Sequence, residues 1–523
     1  GYALLRDPIL HPGFPIVGID NKTWRWFKFQ KAVQEYNTRG KQIIEEGCKT
    51  RKPFQVVTET GTKLCFPPNY AEELKNIKAL SFSKALTNEF STSYGGFEPI
   101  RTVSHESNAI QSITRLKITP SLSEYEYLAE VLASRKSLQL LIGYLTDDIA
   151  EEASTVLKEQ LGICKKWSEI TFKPFVSRLI AHLSARLFVG TELCSNQEWL
   201  SLSTSYAVDC FSAAYSLRRW HPLIRWPVSW FLPECRRLRR TVANARRLLA
   251  PVIKERLKKN ENIEHRPKRD KESTADTIVW LHEAYRKAGV IGKWNVADAQ
   301  LGLSIVAIAT TTELLTCALF DIIAAGPRFV DELRSEIISV LGAVKFDQFN
   351  DGHLKLFSKT NLYQMKLLDS ALKESQRLHT RGVGAMGRVA EADVLLSDGL
   401  IIPRGAFSIV TLAAYHDEKL YPQPQIYNPR RFLELRSQPG QEKNWQLVTT
   451  SPEHLGFGYG DHACPGRFLA ANEVKIALVY LLMEYDWKLP GQKPQDILAV
   501  GSVHEADAKA KVLFRKRDAE VVL

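Results

Sequence analysis

Of the eight cysteines in the chain, Cys464 stands in a setting suited to chemistry. It closes the run Phe457-Gly458-Tyr459-Gly460-Asp461-His462-Ala463-Cys464-Pro465-Gly466, and a helical pattern begins at Arg467. A cysteine at a helix N-terminus meets exposed backbone N–H groups and the positive end of the helix dipole. Both favour thiolate over thiol. Gly458, Gly460 and Gly466 let the backbone turn tightly and lie close against a flat partner. His462, two residues earlier, sets a polar or cationic group beside the sulfur. The glycines superficially suggest a phosphate loop. That motif needs a preceding strand and GxGxxG spacing, and here Ser451-Pro452 precedes the run. The chemistry open to the thiolate is nucleophilic catalysis or metal ligation. A nucleophile wants an activating base, which the chain does not clearly supply. Axial ligation of a haem iron uses the thiolate, the flat approach and the polar neighbour together.

Three further segments carry polar residues at telling spacings. Glu374-Ser-Gln-Arg377 places an acid and a base one helical turn apart, so the pair shares a face. Taken alone it is a common surface pair. Tyr427-Asn-Pro429-Arg430-Arg431-Phe432 supplies further cations. Ala307-Ile308-Ala309-Thr310-Thr311-Thr312 interrupts the longest apolar stretch, Leu301–Gly326, with three hydroxyls.

Together these segments resemble the cytochrome P-450 superfamily. Phe457, Gly460, Cys464 and Gly466 fill the four fixed positions of its FxxGxxxCxG loop, and His462 sits where the family carries Arg or His. Glu374 and Arg377 resemble its ExxR motif. Arg431 resembles the arginine of its F-x-P-E-R-F segment, with Arg430 in place of the glutamate. Ala307–Thr312 resembles the A/G-G-x-D/E-T-T segment, with Ile308 and Thr310 standing where glycine and an acid are usual. The motifs cover roughly the C-terminal half, in the family's order. No diagnostic motif marks the N-terminal half. The Trp-x-x-x-Arg pair found in many members is missing, and Arg115 or His105 are the substitutes considered.

The resemblance implies a mainly α fold with small β-sheets, in one domain over 1–523, with haem between a long central helix and the helix after the cysteine loop. Haem b is the implied cofactor and Cys464 its iron ligand. Phe457, Gly458 and Gly466 flank it, and His462 and Arg388 meet its propionates. Glu374, Arg377 and Arg431 form a structural triad. Thr311 assists oxygen activation, with Thr310, Thr312 or Glu313 completing a proton path. Substrate contacts are Ile305, Ile308, Ala309 and Thr312 on the long helix, Val383, Gly384, Ala385 and Met386 after the ExxR helix, the region of Gly501–Val503, and more loosely Tyr94–Ile113. The implied activity is a monooxygenase acting on a bulky apolar secondary metabolite, as in fungal enzymes of the ent-kaurene and indole-diterpene type. Its partners are an NADPH-cytochrome reductase, with cytochrome b5 as a second electron donor. The implied location is the cytosolic face of the endoplasmic reticulum membrane, as a monomer whose N-terminal anchor is missing from this chain. The alternatives are a reductase-independent peroxygenase, coupling or isomerase enzyme, and a basic helical binding protein.

The elements that must position these residues are also legible. Residues 1–70 mix six prolines with β-rich runs at Phe54–Thr58 and Lys63–Phe66, which predicts an irregular region with a short sheet. From about 120 to 345 apolar residues recur at helical spacing. Strands are predicted at Val394–Leu396, Gly399–Ile402 and Phe407–Thr411, and helix again over 466–484. Leu301–Gly326 is long enough to span a bilayer, but Glu313 and Asp321 interrupt it, so a buried core helix is the better reading. The charge run Lys254–Glu272 reads as a solvated loop. Arg218–Arg240 interleaves Trp220, Trp226, Trp230 and Phe231 with arginines, a composition suited to a membrane interface.

With 45% apolar and 24% charged residues, the chain is neither largely disordered nor a polytopic membrane protein. The cysteines form no tight pair, which argues for reduced thiols facing the cytosol and against a zinc ribbon. A net charge of +12 admits nucleic acid, anionic lipid or an acidic protein as partner. The mixed-sign basic run has no interleaved aromatics, which speaks against nucleic acid.

Overall fold

The structure, a computed structural model, describes residues 9–19, 25–105, 109–115, 144–264, 277–290, 294–342, 349–350, 353–354, 356–500, 503–521 and 523. Its centre is a 29-residue helix, Val296–Ala324 (the central helix), capped by Asn295, whose side chain accepts from Ala297 N at 2.8 Å. Nearly all its faces are apolar, so it is stable only when surrounded. It is surrounded by the helices Phe172–Phe188, Gln197–Arg218, Pro233–Glu264, Lys366–Leu378 and Arg467–Glu484. Among the described residues it is the one helix long and apolar enough to cross a membrane, and most of it is buried in protein.

A six-stranded sheet packs beside this helical body. Its strands are β1 (Ile16–Val17), β2 (Phe54–Thr58), β3 (Gly61–Phe66), β4 (Leu80–Ser81), β5 (Gly384–Ala390) and β6 (Phe407–Thr411), in the order β1-β2-β3-β6-β5-β4. The β2–β3 hairpin turns at Gly61, whose φ is +111°. Between β5 and β6 the register slips between Ser408 and Val410, and Met386 takes φ +55° opposite the slip. Such a bulge re-aims the side chains that follow it, and Arg388 is two residues on.

Several elements differ from the sequence reading. Residues Arg25–Cys48 form a helix in the region expected to be irregular. Its charge density hid the period, and it breaks at Arg39, which has φ −134° and ψ 24°. The charge run starting at Lys254 is not a loop as far as Glu264. It ends the helix Pro233–Glu264, where Glu255 and Lys259 pair across one turn. The rest of that run lies outside the described residues. The C-terminal strands Tyr485–Lys488, Ile497–Val500, Val503–Glu505 and Lys511–Lys516 were not anticipated.

Candidate active site

The cysteine loop is built from its backbone. Cys464 N donates to Phe457 O at 2.7 Å, Gly458 N to Leu455 O at 2.8 Å, and Ala463 N to Gly460 O at 3.0 Å. Gly458 and Gly460 have φ of +70° and +73°, which L side chains rarely adopt. A Cβ on Gly460 would stand 2.5 Å from Asn76 Oδ1, and one on Gly466 would face Cys464 Sγ at 4.0 Å. Glycine at these positions lets the loop fold tightly and sets the sulfur at the start of the helix Arg467–Glu484.

Cys464 itself is half-buried. Burial pushes its thiol up. The backbone N–H groups of Gly466 and Arg467 and the Arg467 charge oppose that rise. The dipole argument from sequence is therefore correct in sign, but desolvation outweighs it. A metal ion would supply the missing stabilisation, since a coordinated thiol is deprotonated.

Cations gather beside the loop. Arg388 is 5% exposed, and its Nη1 donates to Gly387 O at 2.7 Å. No ion pair to it is found among the described residues, and burial lowers its pKa to about 10. Its guanidinium lies over the Phe82 ring at 5.4 Å, and the same ring is 6.2 Å from that of His462. His462 is exposed yet crowded. Desolvation, then the charges of Arg388 and Arg115, hold it below the ordinary histidine value. Arg115 donates to Asp461 O in the same loop. His105 is turned elsewhere, edge-on to Trp294 at 4.6 Å. A buried guanidinium flanked by two more basic groups calls for an anionic partner.

Glu374, Arg377 and Arg431 meet. Glu374 and Arg377 make two bonds of 2.8 Å with both side chains fully buried, and Arg431 Nε reaches Glu374 Oε1 at 3.0 Å. The remaining donors are satisfied too. Arg377 donates to Tyr415 O and Arg431 to Pro422 O, each at 2.7 Å, tying the segment before the cysteine loop to the helix Lys366–Leu378.

The central helix divides its residues by face. Val306, 45% exposed, and Thr310, also exposed, lie one turn apart in the middle of an otherwise buried helix, so they mark a cleft reaching into the core. Ala307 and Leu314 lie nearby on that face, half-buried, and with Phe457 they border the apolar cluster that contains the cysteine helix. Thr310 Oγ1 donates to Val306 O at 2.8 Å. Thr311 lies one residue further round and is only 2% exposed. Thr312 is also buried, with no bond made by its hydroxyl among the described residues. Glu313 pairs with Lys173 and accepts from Ala506 N at 3.0 Å.

The expected substrate contacts are scattered. Ile305 and Ile308 are buried in a second cluster with Phe97 and Ile100, and Ala309 is half-buried. Val383 packs toward Ile43 and Phe54, and Met386 toward Phe14 and Leu64. Gly384 and Ala385 pair with Thr411 and Val410 in β6. Gly501 and Ser502 lie outside the described residues. Sequence reasoning missed Val306, which has no polar atom to draw attention and is found only by its place one turn before a hydroxyl.

A family model described as Cytochrome P450 matches residues 134–514. The chain is 37% identical over 503 residues to the cytochrome P450 monooxygenase adrA of Penicillium rubens, covering 95% of this chain and 90% of that one. It is 35% identical to cytochrome P450 monooxygenase 1 of Gibberella fujikuroi, over 90% of this chain and 99% of the relative. It is also 35% identical to the cytochrome P450 monooxygenase easM of Aspergillus fumigatus, over 100% of this chain and 93% of the relative.

Proposed function

The chain belongs to the cytochrome P450 family, and from that premise we propose that it is a haem-thiolate monooxygenase oxidising a bulky apolar secondary metabolite. Its electrons come from an NADPH-dependent reductase. The observation that carries this reading is Cys464, set on a glycine loop beside a buried arginine that lacks an acidic partner among the described residues. The residues fit haem b. Cys464 would hold its iron, Arg388, His462 and Arg115 its carboxylates, and Phe457, Gly458 and Gly466 would flank it. Bound there, haem supplies oxygen-activating chemistry that thiolate ligation favours.

We assign Thr310 rather than Thr311 to the oxygen side. Read one residue earlier than the sequence pattern suggested, Ala307 stands at the family's small position, Ala309 at its acid and Thr310 at its threonine. Thr310 Oγ1 donates to Val306 O, so its lone pairs are free to accept a hydrogen bond and to hold a proton-carrying water in the cleft. Glu313 does not serve that route, because Lys173 and Ala506 N already hold its carboxylate. The apolar wall of Val306, Ala307 and Leu314 favours a hydrophobic substrate and excludes a charged one.

Residues 220–231 support attachment at a membrane surface. Leu223 is 84% and Trp226 67% exposed, with Trp230 and Phe231 beside them and Arg225 and Arg236 at the edge. The endoplasmic reticulum is the compartment that suits such a reductase-dependent enzyme.

The test is an absorption spectrum of the dithionite-reduced, carbon-monoxide-bound protein, followed by turnover of a polycyclic terpenoid with reductase and NADPH. A strongly red-shifted Soret band, lost in Cys464→Ala, is expected. Product per NADPH should fall at least about 10-fold in Thr310→Val and less than about 2-fold in Thr311→Val. The reverse order would overturn the assignment. Turnover with peroxide alone, unaided by reductase, would point to a peroxygenase.

A further inference from the structure

Three turns beyond Val306 the central helix carries a second polar cluster that the proposed chemistry does not use. Cys317 and Asp321 are one turn apart and buried. Against them stand His379, which follows the helix Lys366–Leu378, and Asp496, which precedes the strand Ile497–Val500. The ligand atoms of Cys317, His379 and Asp496 all lie within 4.8 Å of one another. His379 Nδ1 is 2.7 Å from Asp496 Oδ2, and its Nε2 is 3.1 Å from Asp321 Oδ2. Asp321 also accepts from Ser375 Oγ at 2.6 Å and pairs with Lys493.

We propose that Cys317, His379 and Asp496 bind one zinc ion, with Asp321 as the outer carboxylate that orients the imidazole. A sulfur, an imidazole nitrogen and a carboxylate oxygen form a donor set suited to zinc. Magnesium and calcium prefer oxygen alone. The three ligands come from three separate segments, so the ion staples the C-terminal strand and the end of the ExxR helix to the central helix. Asp321 holds Nε2–H and leaves Nδ1 to the metal, the usual outer-carboxylate arrangement. Tetrahedral zinc with bonds of about 2.0–2.3 Å needs ligand atoms roughly 3.2–3.8 Å apart. Side-chain rotations must open the 2.7 Å contact between His379 Nδ1 and Asp496 Oδ2 and draw in any pair lying toward 4.8 Å.

Binding zinc displaces the Cys317 thiol proton to solvent, since only the thiolate ligates. Lys493 keeps its place on Asp321. Glu313, the next acid along the helix, stays with Lys173.

The experiment uses chelator-stripped, haem-loaded protein and zinc itself. Metal content per haem, calorimetric titration in two buffers of different ionisation enthalpy, and zinc-edge X-ray absorption are the readouts. One zinc per chain is expected, with one sulfur neighbour and release of the Cys317 proton. Cys317→Ser and Asp496→Asn should each weaken binding at least 100-fold, and Asp321→Asn about 10–100-fold. Asp496 lies at the edge of the cluster and its variant keeps the haem spectrum, so lost affinity there is not lost folding. No saturable binding overturns the proposal. So does zinc without a sulfur neighbour whose affinity ignores Cys317→Ser, because that is adventitious surface binding.

Discussion

Replacing Glu374 with Gln tests the buried triad at its one anion. The substitution keeps the shape but removes the charge that faces two guanidiniums. Arg377 is fully buried and Arg431 nearly so, so water cannot take over. The new amide also turns an N–H₂ toward donors that previously met an oxygen at 2.8 Å. The bond from Asn428 N at 3.2 Å to the same carboxylate weakens as well. Removing one partner of a buried ion pair costs about 3–5 kcal/mol. With a urea dependence of about 3 kcal/mol/M, the unfolding midpoint should fall by about 1–1.7 M. Tryptophan fluorescence against urea gives the midpoint, and haem content per chain gives the functional loss. The double variant Glu374→Gln with Arg431→Met removes one of the stranded cations. It should recover about 1–3 kcal/mol relative to the sum of the single variants. A midpoint shift below about 0.3 M with full haem content would refute the reasoning, because the three charges would then not depend on one another.

Two further outcomes follow from buried groups. Arg388→Met should stabilise the haem-free protein, since it removes a desolvated cation without an acidic partner among the described residues, yet speed haem loss several-fold. Melting of the haem-free form and haem transfer to an acceptor protein check the two halves, and a variant destabilised in both forms would contradict the reading. Glu473 lies buried on the cysteine helix, met by Ser184 Oγ at 3.3 Å, and burial raises its pKa to about 8. Because the folded value lies above the unfolded one, its favourable contribution is complete below about pH 4.5 and is lost as pH rises through 8. Glu473→Gln should therefore match the parent near pH 4.5 and exceed it by a few kcal/mol above pH 8, measured by urea midpoints across that range. A constant difference would sink the argument.

The sequence alone marked Cys464, because a cysteine between glycines at a helix start has few other uses. It also marked Glu374, Arg377 and Arg431, though only as types and spacings. An acid and a base one turn apart are legible at any distance from their partner. The core nature of Val296–Ala324 was legible from charges placed where lipid would not tolerate them. The helix Arg25–Cys48 was not, because its polar residues blur the period and packing against β2 holds it. Three consecutive threonines look alike in sequence. Only the packing of the central helix, which buries Thr311 and opens Thr310, tells them apart. The same holds for Cys317, His379, Asp321 and Asp496, which lie up to 179 positions apart in the chain. Local spacing carries no information about pairs brought together by the fold, so their meeting was decided by tertiary structure alone.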